Sequence, residues 1–98
     1  MNIEILPGAR DDLAAGYRFY EKQSPGLGAY FYDTLFAEIE LLRETAGIHP
    51  IKHGSHRALS RRFPYGIYYE IKNDTIRVQA VFDNRRHPAT IRRWLTGE

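Results

Sequence analysis

The chain has no cysteine. That excludes disulfides, thiolate nucleophiles and cysteine-held metals, and it fits a reducing compartment. No apolar run approaches the ~20 residues of a membrane-spanning helix. The segment MNIEILPG lacks a signal-peptide pattern. The expectation is a cytoplasmic protein that does not enter a membrane. There is no glycine-rich phosphate loop, no Ser-His-Asp order, no internal repeat and no low-complexity linker. No cofactor is expected.

What remains suits one compact domain over residues 1–98. An apolar fraction of 43%, with 13% aromatic residues, is enough for a core. Seven residues are tyrosine, which buries area but keeps its hydroxyl wet or paired, so a core that reaches an interface is expected.

Charge is small in total and uneven in place. The net value is +2. Residues 1–56 hold five Lys/Arg against eight Asp/Glu, and residues 57–98 hold nine against four. The basic part carries the pairs Arg61-Arg62, Arg85-Arg86 and Arg92-Arg93. Arginine suits bidentate contact with carboxylate or phosphate. An anionic partner follows, either nucleic acid or an acidic protein segment.

The clearest local pattern is FPYGIYYEIKNDTIRVQAVFDNRRHP at residues 63–88. Phe63, Tyr65, Ile67, Tyr69 and Ile71 alternate, as do Ile76, Val78, Ala80 and Phe82, which predicts two strands with one buried face. Asn73-Asp74 tolerates the positive φ of a two-residue hairpin turn. That turn predicts the pairs Lys72/Thr75, Ile71/Ile76, Glu70/Arg77, Tyr69/Val78, Ile67/Ala80 and Tyr65/Phe82. Glu70 and Arg77 would form an exposed ion pair contributing only ~0.2–1 kcal/mol.

Upstream, Asn2 to Leu6 reads as a short strand ended by Pro7-Gly8. A helix is predicted from about Ala9 to Gln23, with Ala9, Leu13, Tyr17 and Tyr20 as its apolar stripe and Asp11 and Asp12 near its positive end. A second helix is predicted from Ser24-Pro25, with Ser24 as N-cap, and its stripe is Leu27, Phe31, Leu35, Ile39 and Leu42. Gly47 and Pro50 end it. Residues 48–56 read as a loop, Arg57 to Arg62 as a strand, Phe63-Pro64 as a turn, and Pro88 to Leu95 as a short helix. The order is β-α-α-β-β-β-α. An antiparallel sheet packed against a two-helix hairpin is expected, in the α+β class.

With LSRRF at Leu59 to Phe63, PYGIYY at Pro64 to Tyr69 and IRVQAVFDNRRHP at Ile76 to Pro88, the chain resembles the RelE/ParE superfamily of type II toxins over nearly its full length. The resemblance implies a small antitoxin that wraps and neutralises the toxin in a hetero-oligomer. RelE-like members cut messenger RNA on the ribosome, whereas ParE-like members are associated with poisoning DNA gyrase. RelE-like members carry an arginine in the strand just after the tyrosine. Here that position is Gly66. They often carry a tyrosine or histidine after the basic loop, and Pro88 to Arg93 holds none. An arginine of that loop is matched by Arg85 or Arg86. The resemblance therefore leans to the ParE-like branch.

For a ribonuclease the candidate groups are Arg86, His87 and Arg62. For partner contact they are Arg57, Arg61, Arg62, Arg85, Arg86 and Tyr68. His49, His53 and His56 would suit one helix face, but Pro50 and Gly54 argue against a helix, so no metal site is expected. Three functions stay open on the sequence: a gyrase inhibitor, a ribosome-dependent endoribonuclease, or a remnant that only binds its antitoxin.

Overall fold

The computed structural model describes residues 1–85 together with Thr90, Arg93 and Leu95. Its elements are β1 (Asn2–Ile5), α1 (Pro7–Gln23), α2 (Leu27–Thr45), β2 (Ile51–Lys52), β3 (Ser55–Leu59), β4 (Tyr65–Lys72) and β5 (Thr75–Asp83). The sheet runs β1-β5-β4-β3-β2. Strands β2 to β5 form an antiparallel meander, and β1 joins β5 in parallel. The α+β class holds, and the sheet is mixed because the helix pair carries the chain from β1 back over one face before the meander starts.

The helices begin where their backbone donors are best satisfied. α1 starts at Pro7, two residues earlier than the sequence suggested, because proline at a first helical position loses no hydrogen bond. Ala9, Leu13, Gly16 and Tyr20 face the core, while Tyr17 lies at the edge of the stripe, edge-on to Tyr32 at 6.0 Å. α2 starts at Leu27 rather than at Ser24-Pro25. Ser24 instead ends α1, and Gly26 turns the chain at φ 88°. The Glu21 carboxylate caps α2, accepting the N–H of Gly26 at 3.0 Å and of Gly28 at 2.9 Å.

The predicted loop at residues 48–56 holds a tight hairpin. His53 and Gly54 both have positive φ, 55° and 86°, and they join β2 to β3. β3 therefore opens at Ser55 rather than Arg57, and it ends at Leu59 because residues 60–64 turn. The predicted strand to Arg62 is corrected accordingly.

The β4–β5 hairpin keeps the predicted pairs from Lys72/Thr75 to Tyr69/Val78, with Asn73 and Asp74 at φ 52° and 61°. Beyond them a β-bulge absorbs Gln79. Tyr68 then faces Ala80, Ile67 faces Val81, and Tyr65 faces Asp83, so the predicted pairs Ile67/Ala80 and Tyr65/Phe82 are corrected. One inserted residue reverses the sides that follow. Val81 joins the helix-facing core, and Ala80 and Phe82 move to the other face with Tyr68 and Leu95.

The main core lies between the helix pair and the sheet, around Leu13, Phe31, Leu35, Ile39, Ile67, Tyr69, Ile76 and Val78. Each such large side chain contributes about 1.5–3 kcal/mol by leaving water. Arg77 reaches Glu4 at 3.3 Å and Glu70 at 3.8 Å on the outer face, linking three strands through a weak exposed network. Of the predicted C-terminal helix, Thr90, Arg93 and Leu95 are helical, and the rest lies outside the described residues.

Candidate functional site

The turn between β3 and β4 is pinned on both sides. Ser60 N–H donates to the Tyr65 carbonyl at 2.9 Å, and Asn84 N–H donates to the Pro64 carbonyl at 2.7 Å. This frame fixes the two arginines that precede Phe63. The backbone N–H of Arg61 donates to Glu38 Oε2 at 2.9 Å. Arg62 Nη1 donates to the Tyr30 hydroxyl at 2.8 Å, and its guanidinium carbon stands 6.0 Å from the Tyr30 ring centre. That is the outer range of a cation–π contact.

Arg85 follows the end of β5 and clasps Asp83. Its backbone N–H donates to Asp83 Oδ1 at 2.8 Å, Nε donates to Oδ1 at 2.9 Å, and Nη2 donates to Oδ2 at 2.5 Å. These bonds, and then the carboxylate charge, raise the basicity of a guanidinium that is already always charged. The Arg85 side chain is 64% exposed, so the clasp orients it more than it stabilises the fold.

Aromatic rings connect the two arginines. Arg85 acts electrostatically on Tyr20 and Tyr65. Burial raises the pKa of the Tyr20 hydroxyl, with Arg85 opposing and Asp83 adding to the rise. The Tyr20 ring lies 5.0 Å from Phe63, and Phe63 lies 5.5 Å from Tyr30. Arg62 and Arg85 thus flank one row of rings. Beside the row a cavity of about 410 Å³ opens between α1 and the end of β5, with Ala15, Gly16, Phe19, Tyr65 and Val81 among its walls.

Arg57 and Tyr68 lie on the opposite face of the sheet, as register partners on β3 and β4. Tyr68 is 1% exposed, packed with Ala80, Phe82 and Leu95, so the fold covers the ring that the sequence offered as a partner contact. Between them sits Gly66. A Cβ there would lie 2.9 Å from Asn84 Oδ1, 3.2 Å from Arg57 Cγ and 3.2 Å from Tyr68 Cε1. Arg86 and His87 lie outside the described residues. His49 and His56 are engaged with Tyr69 and with backbone, and among the described residues no three His, Cys, Asp or Glu side chains converge.

A family model described as ParE toxin of type II toxin-antitoxin system, parDE, matches residues 3–88. The chain belongs to the ParE toxin family. A solved structure, the chromosomal ParDE TA system from P. aeruginosa, is similar with a TM-score of 0.76 at 17% identity, over 85% of this chain and 95% of that one. At that identity the likeness concerns the fold. No curated protein sequence matches the chain.

In this ParE-family toxin, the structure brings Arg62 and Arg85 to one end and sets Arg57 and Tyr68 on another face. Sequence reasoning did not find Phe19, whose ring is half exposed at the cavity, or Glu21 and Glu38, which accept backbone N–H groups. Phe19 stands outside the Ala9-Leu13-Tyr20 stripe, and an aromatic residue on the polar side of a helix was the available signal.

Proposed function

We propose that this ParE-family toxin acts in the cytoplasm by binding and inhibiting DNA gyrase, and that a cognate antitoxin neutralises it in a hetero-oligomeric complex. It works by occupying a macromolecular target, not by bond cleavage. The observation that supports this over messenger-RNA cleavage is the crowding at Gly66. Cutting RNA needs groups that activate a 2′-hydroxyl, stabilise the crowded phosphate and protonate the leaving oxygen. At Gly66 the strand offers no side chain, and Asn84, Arg57 and Tyr68 crowd the position where a Cβ would stand.

The test is inducible expression without antitoxin, with DNA and protein synthesis pulse-labelled separately. Early loss of DNA synthesis with translation intact is expected, together with gyrase-linked DNA breaks. Early loss of translation with cut transcripts would reverse the assignment to the ribosome. No arrest of either would leave a remnant that only binds its antitoxin.

A further inference from the structure

We propose that the outer face of α2 is a self-complementary surface for a second copy of this chain, with the two α2 helices packed antiparallel about a two-fold axis beside Leu35. Self-association of this kind is independent of the toxin's target.

Shape comes first. Tyr30, Thr34, Ala37, Leu41 and Glu44 recur every three or four residues, so they form one stripe along α2, apart from the buried stripe of Phe31, Leu35, Ile39 and Leu42. Tyr30 is 45% exposed and Leu41 is 53% exposed, and Ala37 and Glu44 are exposed as well. The Tyr30 ring is already ordered, with Phe63 at 5.5 Å and its hydroxyl bonded to Arg62 Nη1 at 2.8 Å. It is a preformed knob. The matching hole lies further along the same helix. Ala37, Glu40, Leu41 and Glu44 have the spacing of four residues that receive a knob from a facing helix, and with Arg43 they line a hollow of about 390 Å³. Knob and hole centre are about 16 Å apart along the axis, and their midpoint falls beside Leu35. Thr34 and Ala37 flank that midpoint on the stripe, and side chains this small let two helix axes approach to about 8–10 Å. A two-fold rotation there puts each Tyr30 into the other copy's hole.

Charge agrees with shape. Among the described residues, the Arg62 guanidinium has no carboxylate within ion-pair distance, and Glu44 has no basic group there. Glu40 is paired with Arg43. Glu44 stands on the rim of the hole that receives Tyr30, so the arginine bonded to the Tyr30 hydroxyl arrives beside the second copy's Glu44. The two-fold axis makes that contact twice. The stripe is basic at one end and acidic at the other. A polyanion such as nucleic acid meets repulsion at Glu44, and a basic partner meets it at Arg62. A second copy, running antiparallel, presents the two signs in reverse order and satisfies both. One helix face buries less than the ~1,200 Å² of a stable interface, so the dimer is weak, with a Kd on the order of 10–100 µM.

The experiment is sedimentation velocity of the full chain from about 5 µM to about 500 µM, which should show the mass rising from monomer towards dimer. Ala37→Arg blocks the crossing from an exposed helix position and should leave a monomer throughout. Arg62→Glu and Glu44→Arg should each weaken association by about tenfold or more. Mixed in equal amounts, those two variants should associate again, because each pairing of the two sites then joins opposite charges. Arg18→Glu, the same charge change at an exposed position of α1, should behave as wild type. Circular dichroism melting confirms that each variant folds, and Ala37→Arg carries the test alone should a charge variant not fold. A chain that stays monomeric at every concentration overturns the proposal. So does a dimer that survives Ala37→Arg, and so does a mixture of Arg62→Glu and Glu44→Arg that associates no better than either variant by itself.

Discussion

The Tyr69 hydroxyl lies 2.5 Å from His49 Nδ1 and also accepts the Gly47 N–H at 2.9 Å. His56 stacks on the same ring at 5.0 Å and bonds the His49 carbonyl through Nδ1 at 2.8 Å. One tyrosine of β4, fully buried, thus fastens the segment that leaves α2. The Gly47 N–H takes one lone pair of that oxygen, and the Tyr69 O–H finds its acceptor at His49 Nδ1 when the hydrogen of that imidazole is assigned to Nε2.

This arrangement makes stability sensitive to acid. Burial first, and the charge of His56 second, lower the pKa of His49 from 6.5. The unfolded chain therefore takes up the proton more readily. The stabilisation is complete above about pH 6.5 and is lost as pH falls below it. Urea midpoints at about pH 7.5 and pH 5.5 should drop for the wild type, and His49→Gln should show a smaller drop. An equal drop in both would place the acid sensitivity elsewhere. Tyr69→Phe should cost about 1–3 kcal/mol at neutral pH, because it leaves the Gly47 N–H and His49 Nδ1 unpaired.

The helix crossing makes a second test. A Cβ at Gly28 would fall 2.6 Å from the Tyr17 carbonyl oxygen, and one at Gly16 would fall 2.5 Å from the Phe31 ring. Phe31 has no room to yield, with Tyr20, Phe63 and Tyr65 all within 5.1 Å of its ring centre. Alanine favours a helix over glycine by about 1 kcal/mol. Overpacking costs about 1–3 kcal/mol and should win at both sites. Gly16→Ala and Gly28→Ala should therefore lower the urea midpoint, whereas Gly26→Ala, with nothing within 4 Å, should cost only the ~1 kcal/mol of a left-handed backbone.

These glycines also show why some of the fold was legible and some was not. Periodicity names the stripe Ala9-Leu13-Tyr20 and the strands on either side of Asn73-Asp74, since burial repeats with the geometry of the element. It cannot name Gln79 as a bulge, because nothing in the alternation of Ile76, Val78, Ala80 and Phe82 breaks there. The break comes from tertiary contact: β1 ends at Ile5, and beyond it the outer edge of β5 must bond elsewhere. Likewise Ser24-Pro25 has the chemistry of a helix start, yet Glu21, a full turn earlier, does the capping. The arginines of the candidate site were visible as pairs. Their separation onto two faces depends on where the turn at residues 60–64 and the bulge fall.

That outer edge gives a third test. Val81 lies past the end of β1, and its N–H bonds the Asp12 carboxylate of α1. Val81 is buried, so removing the acceptor leaves a donor without water. Asp12→Ala should cost about 1–3 kcal/mol, and Asp12→Asn, which keeps an oxygen in place, should cost less. Amide exchange at Val81 should accelerate in the alanine variant more than at Ile67, its partner across the hairpin. Equal protection in both variants would mean that the bond holds nothing.

Gly66 joins the fold to the choice of target. Its neighbours differ in how far they can yield: Asn84 Oδ1 ends an exposed side chain, whereas Tyr68 is held against Phe82 at 5.6 Å. Gly66→Ala should therefore destabilise by about 1–3 kcal/mol, and combining it with Asn84→Ala should recover part of that loss, a coupling that a double-mutant cycle reads directly. Gly66→Arg asks for far more space and should unfold the end of the hairpin rather than create a nuclease. Purified ribosomes carrying a defined transcript should show no cleavage with the wild type or with Gly66→Arg. Cleavage by the wild type would mean that RNA chemistry uses groups away from this strand position, and the proposal of a gyrase target would then fall.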